Sequence, residues 1–78
     1  MDAHKLVRMA NEIATFFESD PDPAAVSDGI AGHIRRFWDP RMRRALLLHI
    51  DEHAGEGCRP AVLAAIAANR KSLTPPAA

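Results

Sequence analysis

Trp38-Asp39-Pro40-Arg41-Met42-Arg43-Arg44-Ala45-Leu46-Leu47-Leu48-His49-Ile50-Asp51-Glu52-His53-Ala54-Gly55 contains a helix start, an inward face and a helix stop in one run. Asp39 can accept from the free N–H groups of a first turn, and Pro40 suits the first helical position, where its missing N–H is not needed. Met42, Leu46, His49 and Ile50 recur at steps of three and four and predict an inward stripe, and Gly55 supplies a left-handed stop. Leu46, Leu47 and Leu48 are consecutive. Three successive helical residues spread over about 200° of the circumference, so they cannot all face one core. Leu48 falls between Arg41, Arg44 and Glu52 and is expected outside.

The same start signal recurs upstream, with Asp22 as N-cap and Pro23 at the first helical position. Val26, Ile30, Ile34 and Phe37 make that helix's stripe, while Gly29 and Gly32 either permit close packing or mark flexibility. Before it, about Ala3 to Glu18 reads as a helix with Leu6, Met9, Ala10, Ile13, Phe16 and Phe17 at helical spacing. Val7 and Ala14 widen its apolar sector to roughly half the cylinder, more than one contact needs. A fourth helix starts near Pro60 with Val62, Leu63, Ile66 and Leu73, and its alanine face, Ala61, Ala64, Ala65 and Ala68, is either exposed or packed at short range. Strand signals are nearly absent, with no Tyr and three scattered Val. The predicted fold is all-α: a small bundle of about four short helices, with residues 1–73 as a single helical domain and 74–78 as a disordered, flexible C-terminal tail.

At 78 residues and 8.5 kDa the chain is too short for a multi-domain enzyme. Ten Lys+Arg balance ten Asp+Glu, so any electrostatic steering is local. Cys58 is the sole cysteine and has no partner for an internal disulfide. Asp2, Lys5 and Arg8 stand where a signal peptide needs an apolar run, and no stretch approaches the roughly 20 apolar residues of a membrane helix. The expectation is a cytoplasmic, soluble protein with no membrane contact. Fifteen alanines leave few side chains that bury much area, so the isolated chain should be marginally stable. With no disulfide framework, the remaining common source of stability is another protein's surface.

The densest local feature is Arg35-Arg36-Phe37-Trp38-Asp39-Pro40-Arg41-Met42-Arg43-Arg44, five arginines and one aspartate around the only tryptophan. It can be read as a solvated polar face whose Trp38 and Phe37 close the core, as a partner-binding patch, or as a nucleic-acid surface. Arginine with Trp and Met is enriched at protein interfaces, and no second basic stretch extends a phosphate-tracking surface. The first turn of the third helix also lacks Asn, Gln or Ser for reading base edges. The partner-binding candidates are therefore Arg35, Arg36, Trp38, Arg41, Met42, Arg43, Arg44 and Leu48, with Asp22, Asp39 and Gly55 as structural caps. His49 and His53 lie four apart on one face, and Cys58, His33 and His4 could complete a zinc site, although a position at the core edge or the helix end explains both histidines. No catalytic residue is predicted. The paired carboxylates Asp51-Glu52 and Asp20-Pro21-Asp22 suit a helix face and a capped turn, and Gly55-Glu56-Gly57 is too short to cradle phosphate.

Three stretches together resemble the delta subunit of cytosolic NAD-dependent formate dehydrogenase. They are Leu6-Val-Arg-Met-Ala-Asn-Glu-Ile13 followed by Phe16-Phe17; Gly29-Ile-Ala-Gly-His-Ile-Arg-Arg-Phe-Trp-Asp-Pro-Arg-Met-Arg-Arg44; and Gly55-Glu-Gly57 with Pro60 and Val62. The resemblance spans roughly residues 4 to 68, and His33 to Arg44 is its specific part. It implies a small non-catalytic subunit that binds the catalytic alpha subunit and supports assembly or stability of the active enzyme. It also implies that a molybdenum or tungsten pterin, iron–sulfur clusters, flavin and NAD belong to the partner subunits, with no cofactor bound by this chain. One cysteine cannot supply the four thiolates of a cluster. A small helical nucleic-acid-binding module and a zinc-stapled interaction module are the alternatives, and a homodimer through the exposed apolar sector is a further alternative for the chain without its partner.

Overall fold

The computed structural model describes residues 2–76, in which four helices follow one another: α1 (Ala3–Phe17), α2 (Pro23–Phe37), α3 (Pro40–His53) and α4 (Pro60–Leu73). Three of the four starts are fixed by an aspartate that leaves the helix in extended geometry and turns its carboxylate onto the first turn. Asp2 accepts from the His4 N–H at 2.9 Å, Asp22 from Ala24 at 3.0 Å and Asp39 from Met42 at 3.0 Å. Proline opens α2, α3 and α4.

α2 packs most extensively against α4, and α1 lies against the other three. The core joins Leu6, Val7, Ala10 and Ala14 of α1 to Val26, Ile30, Ala31 and Ile34 of α2, with Leu46 and Leu47 of α3 and Val62, Ala65, Ile66 and Leu73 of α4. Four of these are alanines, and they let the helices approach closely where larger side chains would hold them apart. Gly29 serves the same end, because a Cβ there would collide with the Phe17 ring. Gly32 meets only the Arg36 guanidinium. On α4, Ala65 is enclosed while Ala64 and Ala68 face outward.

The sequence pattern differs from the structure at two aromatic positions. Phe16 is 74 % exposed and Phe37 is 69 % exposed, although both fall within apolar stripes. For α1 the stripe is wider than its contacts cover. For α2 the cause is the helix end: the chain becomes extended at Trp38, the indole takes the core position at the corner, and Phe37 is left outside against His33.

The end of α3 begins one residue before the glycine that the sequence suggests. Ala54 is already left-handed, at φ 55° and ψ 29°, and Gly55 follows at φ 68°. The connection to α4 is then held by side chains from two other elements. Asn11 of α1 donates to the Gly57 carbonyl at 3.0 Å and accepts from the Arg59 N–H at 2.8 Å, and His49 Nε2 lies 2.8 Å from the Glu56 carbonyl. Because a carbonyl only accepts, that imidazole carries its proton on Nε2. Asn69 interrupts α4 at φ −122° while its amide donates to the Ala65 carbonyl. Within the predicted tail, Thr74 hydrogen-bonds back to Arg70 through both its N–H and its hydroxyl, and Pro75 is buried. Ala77 and Ala78 lie outside the described residues.

Two stability measurements follow from these geometries. Ala54→Gly relieves a left-handed non-glycine residue and should raise unfolding stability in urea by about 1 kcal/mol, whereas Gly55→Ala, which also meets Leu63, should lower it by more than that. Asn11→Ala removes both bonds to the α3–α4 connection and should cost about 1–3 kcal/mol, with Thr15→Ala on the same helix as a near-neutral control.

Candidate functional site

Only Trp38 and Asp39 separate α2 from α3, so two cationic segments meet at one corner. Arg35 and Arg36 occupy the last turn of α2, where the partial negative charge of the free carbonyls favours a cation. Their presence has a local explanation. Arg41 lies in the first turn of α3 with Arg43 and Arg44 just behind it, at the positive end of the helix, and no acidic residue shares that turn. There a cation opposes the macrodipole by about 0.3–1 kcal/mol.

None of the five arginines forms a salt bridge among the described residues. Of the three arginines outside the corner, two are paired and Arg8 of α1, among the described residues, is not: Arg59 meets Glu18 at 2.7 Å, and Arg70 meets Asp51 through two hydrogen bonds of 2.9 and 2.5 Å that hold the Asp51 carboxyl below its ordinary pKa. Asp39 is the only acid within the cluster, and its carboxylate is already engaged in capping α3. Arg35, Arg36, Arg41 and Arg44 are exposed, and Arg43 is half-buried with its Nε shielded from solvent and without a hydrogen-bond partner. The four exposed guanidiniums are open to water or to a partner, the Arg43 Nε is short of an acceptor, and a planar carboxylate fits the guanidinium fork best.

The other candidates divide by burial. Trp38 is 5 % exposed, so its ring holds the corner from inside and is not offered to a second protein. Met42 is half-buried against the core, and Leu48 stands 54 % exposed on the α3 surface. The large exposed side chains that sequence reasoning assigned to the interior are Phe16 and Phe37. The excess width of the α1 stripe was the signal available for Phe16, and Phe37 had none, since it falls on the inward stripe of α2.

The histidine and cysteine candidates do not converge. The His49 and His53 rings are 5.5 Å apart at their centroids, but His49 Nε2 is committed to Glu56, His33 lies against Phe37, and Cys58 packs against the core. Among the described residues no three His, Cys, Asp or Glu side chains gather closely enough to hold a metal ion. Burial pushes the Cys58 thiol up, which favours the protonated form over the thiolate that ligation or nucleophilic attack requires.

The corner sits inside a stretch that identifies the chain. Residues 5–66 match the family model described as NADH-dependent formate dehydrogenase delta subunit, FdsD. The chain belongs to this family. The matched span takes in α1, α2, α3 and the first half of α4, and with them all five corner arginines and the three phenylalanines of this delta-subunit chain. No curated protein and no solved structure matches it.

Because Arg41 opposes the dipole of α3, Arg41→Glu should stabilise the isolated chain by about 0.3–1 kcal/mol, with Arg41→Gln intermediate, in thermal unfolding at low salt. A lower melting temperature for Arg41→Glu would mean that the corner is satisfied internally.

Proposed function

We propose that this chain is a non-catalytic accessory subunit of a cytoplasmic formate dehydrogenase complex, that it docks on the catalytic alpha subunit through the arginine corner, and that it supports assembly or stability of the active enzyme. The observation that carries this reading is the gathering of five arginines at one corner with no carboxylate among the described residues paired to them. Arg59 and Arg70 have carboxylates within the chain, whereas Arg35, Arg36, Arg41, Arg43 and Arg44 have none among the described residues. Arg41 stands in the first turn of α3, where the helix dipole disfavours a cation, and an acceptor from a partner would compensate it. Carboxylates and backbone carbonyls of the alpha subunit would supply the acceptors, with Leu48 as an apolar contact on the same helix.

Membership in the delta-subunit family supports a place in a formate dehydrogenase. The molybdenum or tungsten pterin, iron–sulfur clusters, flavin and NAD fall to the partner subunits in this reading, because a single half-buried thiol cannot ligate a cluster. No helix among the described residues is long and apolar enough to cross a membrane.

The test is co-expression with the alpha subunit, scoring co-purification and formate oxidation. Wild type should be recovered stoichiometrically, and Arg43→Glu/Arg44→Glu should lose on the order of tenfold or more in affinity, with oxidation falling in step. Arg41→Glu/Arg44→Glu, confined to exposed positions, guards against a folding defect at Arg43. Undiminished recovery of both variants, or a wild-type chain found only as free monomer, would defeat the proposal.

A further inference from the structure

Phe16 and Phe17 line a groove between the C-terminal half of α1 and α2, and Phe37 adjoins it through His33. Phe16 and Phe37 are the two most exposed large apolar side chains among the described residues. Between them Ile13, Phe16, Phe17 and His33 line a shallow, almost wholly apolar depression.

The walls of this groove pack on one another. Phe17 is set into the notch left by Gly29, Phe16 stands edge-on to it with centroids 5.1 Å apart, and Phe37 rests on His33 at 4.7 Å. Phe17 is seated by this packing, whereas Phe16 and Phe37 present most of their ring surface to solvent, apolar area that a partner would cover. One helical turn beyond His33, α2 carries Arg36 and Phe37, within the arginine corner. Phe37 directly follows Arg36, whose guanidinium lies back over Gly32 on the same helix, and Arg41 follows across the two-residue joint.

We infer that this groove is the apolar half of the docking surface, and that it seats an aliphatic or aromatic side chain from a segment of the partner subunit that carries carboxylates beside that anchor. The inference rests on the docking reading above and names the chemistry of its occupant. Charge selects that occupant. The decapeptide Arg35–Arg44 carries five arginines against one aspartate that is engaged in capping, so an apolar segment without anions leaves the cations unmatched. A second copy of this chain is disfavoured for the same reason, because it would have to supply carboxylates to the corner, and Asp39, the only acid within that segment, is engaged in capping.

The experiment measures the affinity of the purified alpha subunit for wild type, Phe16→Gln/Phe37→Gln and Arg41→Glu/Arg44→Glu at two salt concentrations. The phenylalanine pair should weaken binding about 30-fold at both concentrations and leave the salt dependence intact, while the arginine pair should flatten the salt dependence. Since Phe16 and Phe37 are exposed, the double variant should melt within a few degrees of wild type, which separates lost binding from lost fold. Wild-type binding that the phenylalanine pair matches would overturn this inference and leave the docking proposal standing; no wild-type binding would overturn both. Self-association in sedimentation that disappears in the phenylalanine pair would assign the groove to a second copy and overturn the inference as well.

Discussion

The corner between α2 and α3 leaves the chain no freedom, because both of its connecting residues are engaged. Trp38 ends α2 by donating its N–H to the Ile34 carbonyl at 3.0 Å and buries its indole, and Asp39 turns at once to cap α3. An indole buries about 150–250 Å², which at roughly 25 cal/mol per Å² amounts to about 4–6 kcal/mol as an upper limit. The unfavourable placement of Arg41 costs about 1 kcal/mol at most. Packing therefore wins over the local electrostatics, and the direction of α3 is set by the tryptophan whatever charges flank it. With the ring inside and the only nearby carboxylate occupied, the arginines on either side are left facing outward.

The rest of the bundle compensates for a thin core with polar clamps at its long connection. Alanines at positions 10, 14, 31 and 65 bring helices close but bury little area each. The α3–α4 connection has few large side chains of its own, and Asn11, His49 and the Arg59–Glu18 pair secure it from outside. The ion pair is about half exposed at Arg59 and adds little, since such pairs contribute roughly 0–1 kcal/mol. The two hydrogen bonds of Asn11 are the stronger part, because they reach backbone groups that the turn cannot satisfy by itself.

Local chemistry was legible in the sequence wherever a single residue fixes the backbone. Asp22-Pro23 and Asp39-Pro40 mark helix starts regardless of tertiary context, and a lack of strand-forming runs suffices for an all-α fold. Positions decided by a neighbour's geometry were not legible. Phe37 lies on the same helical face as Ile30 and Ile34, and only the turn of the chain at Trp38 turns it out of the core. Asn11 reads as a polar residue on a polar face, and its partners lie 46 and 48 residues away. The two readings left open for Gly29 resolve toward close packing through the Phe17 ring, which no spacing rule supplies. At the corner, the sequence places five arginines together, but only the folded structure shows that Arg59 and Arg70 find carboxylates within the chain while these five, among the described residues, do not.

Unmatched cations and uncovered rings on one small molecule raise its free energy alone and lower it in a complex. A partner that binds only the folded form adds stability that grows with the logarithm of its concentration over Kd, so a chain with few buried side chains gains most where the partner is abundant. The two kinds of surface act on different steps of association. Guanidinium groups accelerate encounter and fix orientation through a field that salt screens within about 10 Å, whereas rings covered on contact slow release and are indifferent to salt. In the proposed docking, register would come from the arginines and lifetime from the phenylalanines, and the joint at Trp38 and Asp39 sets Phe37 of α2 close in the chain to Arg41, Arg43 and Arg44 of α3.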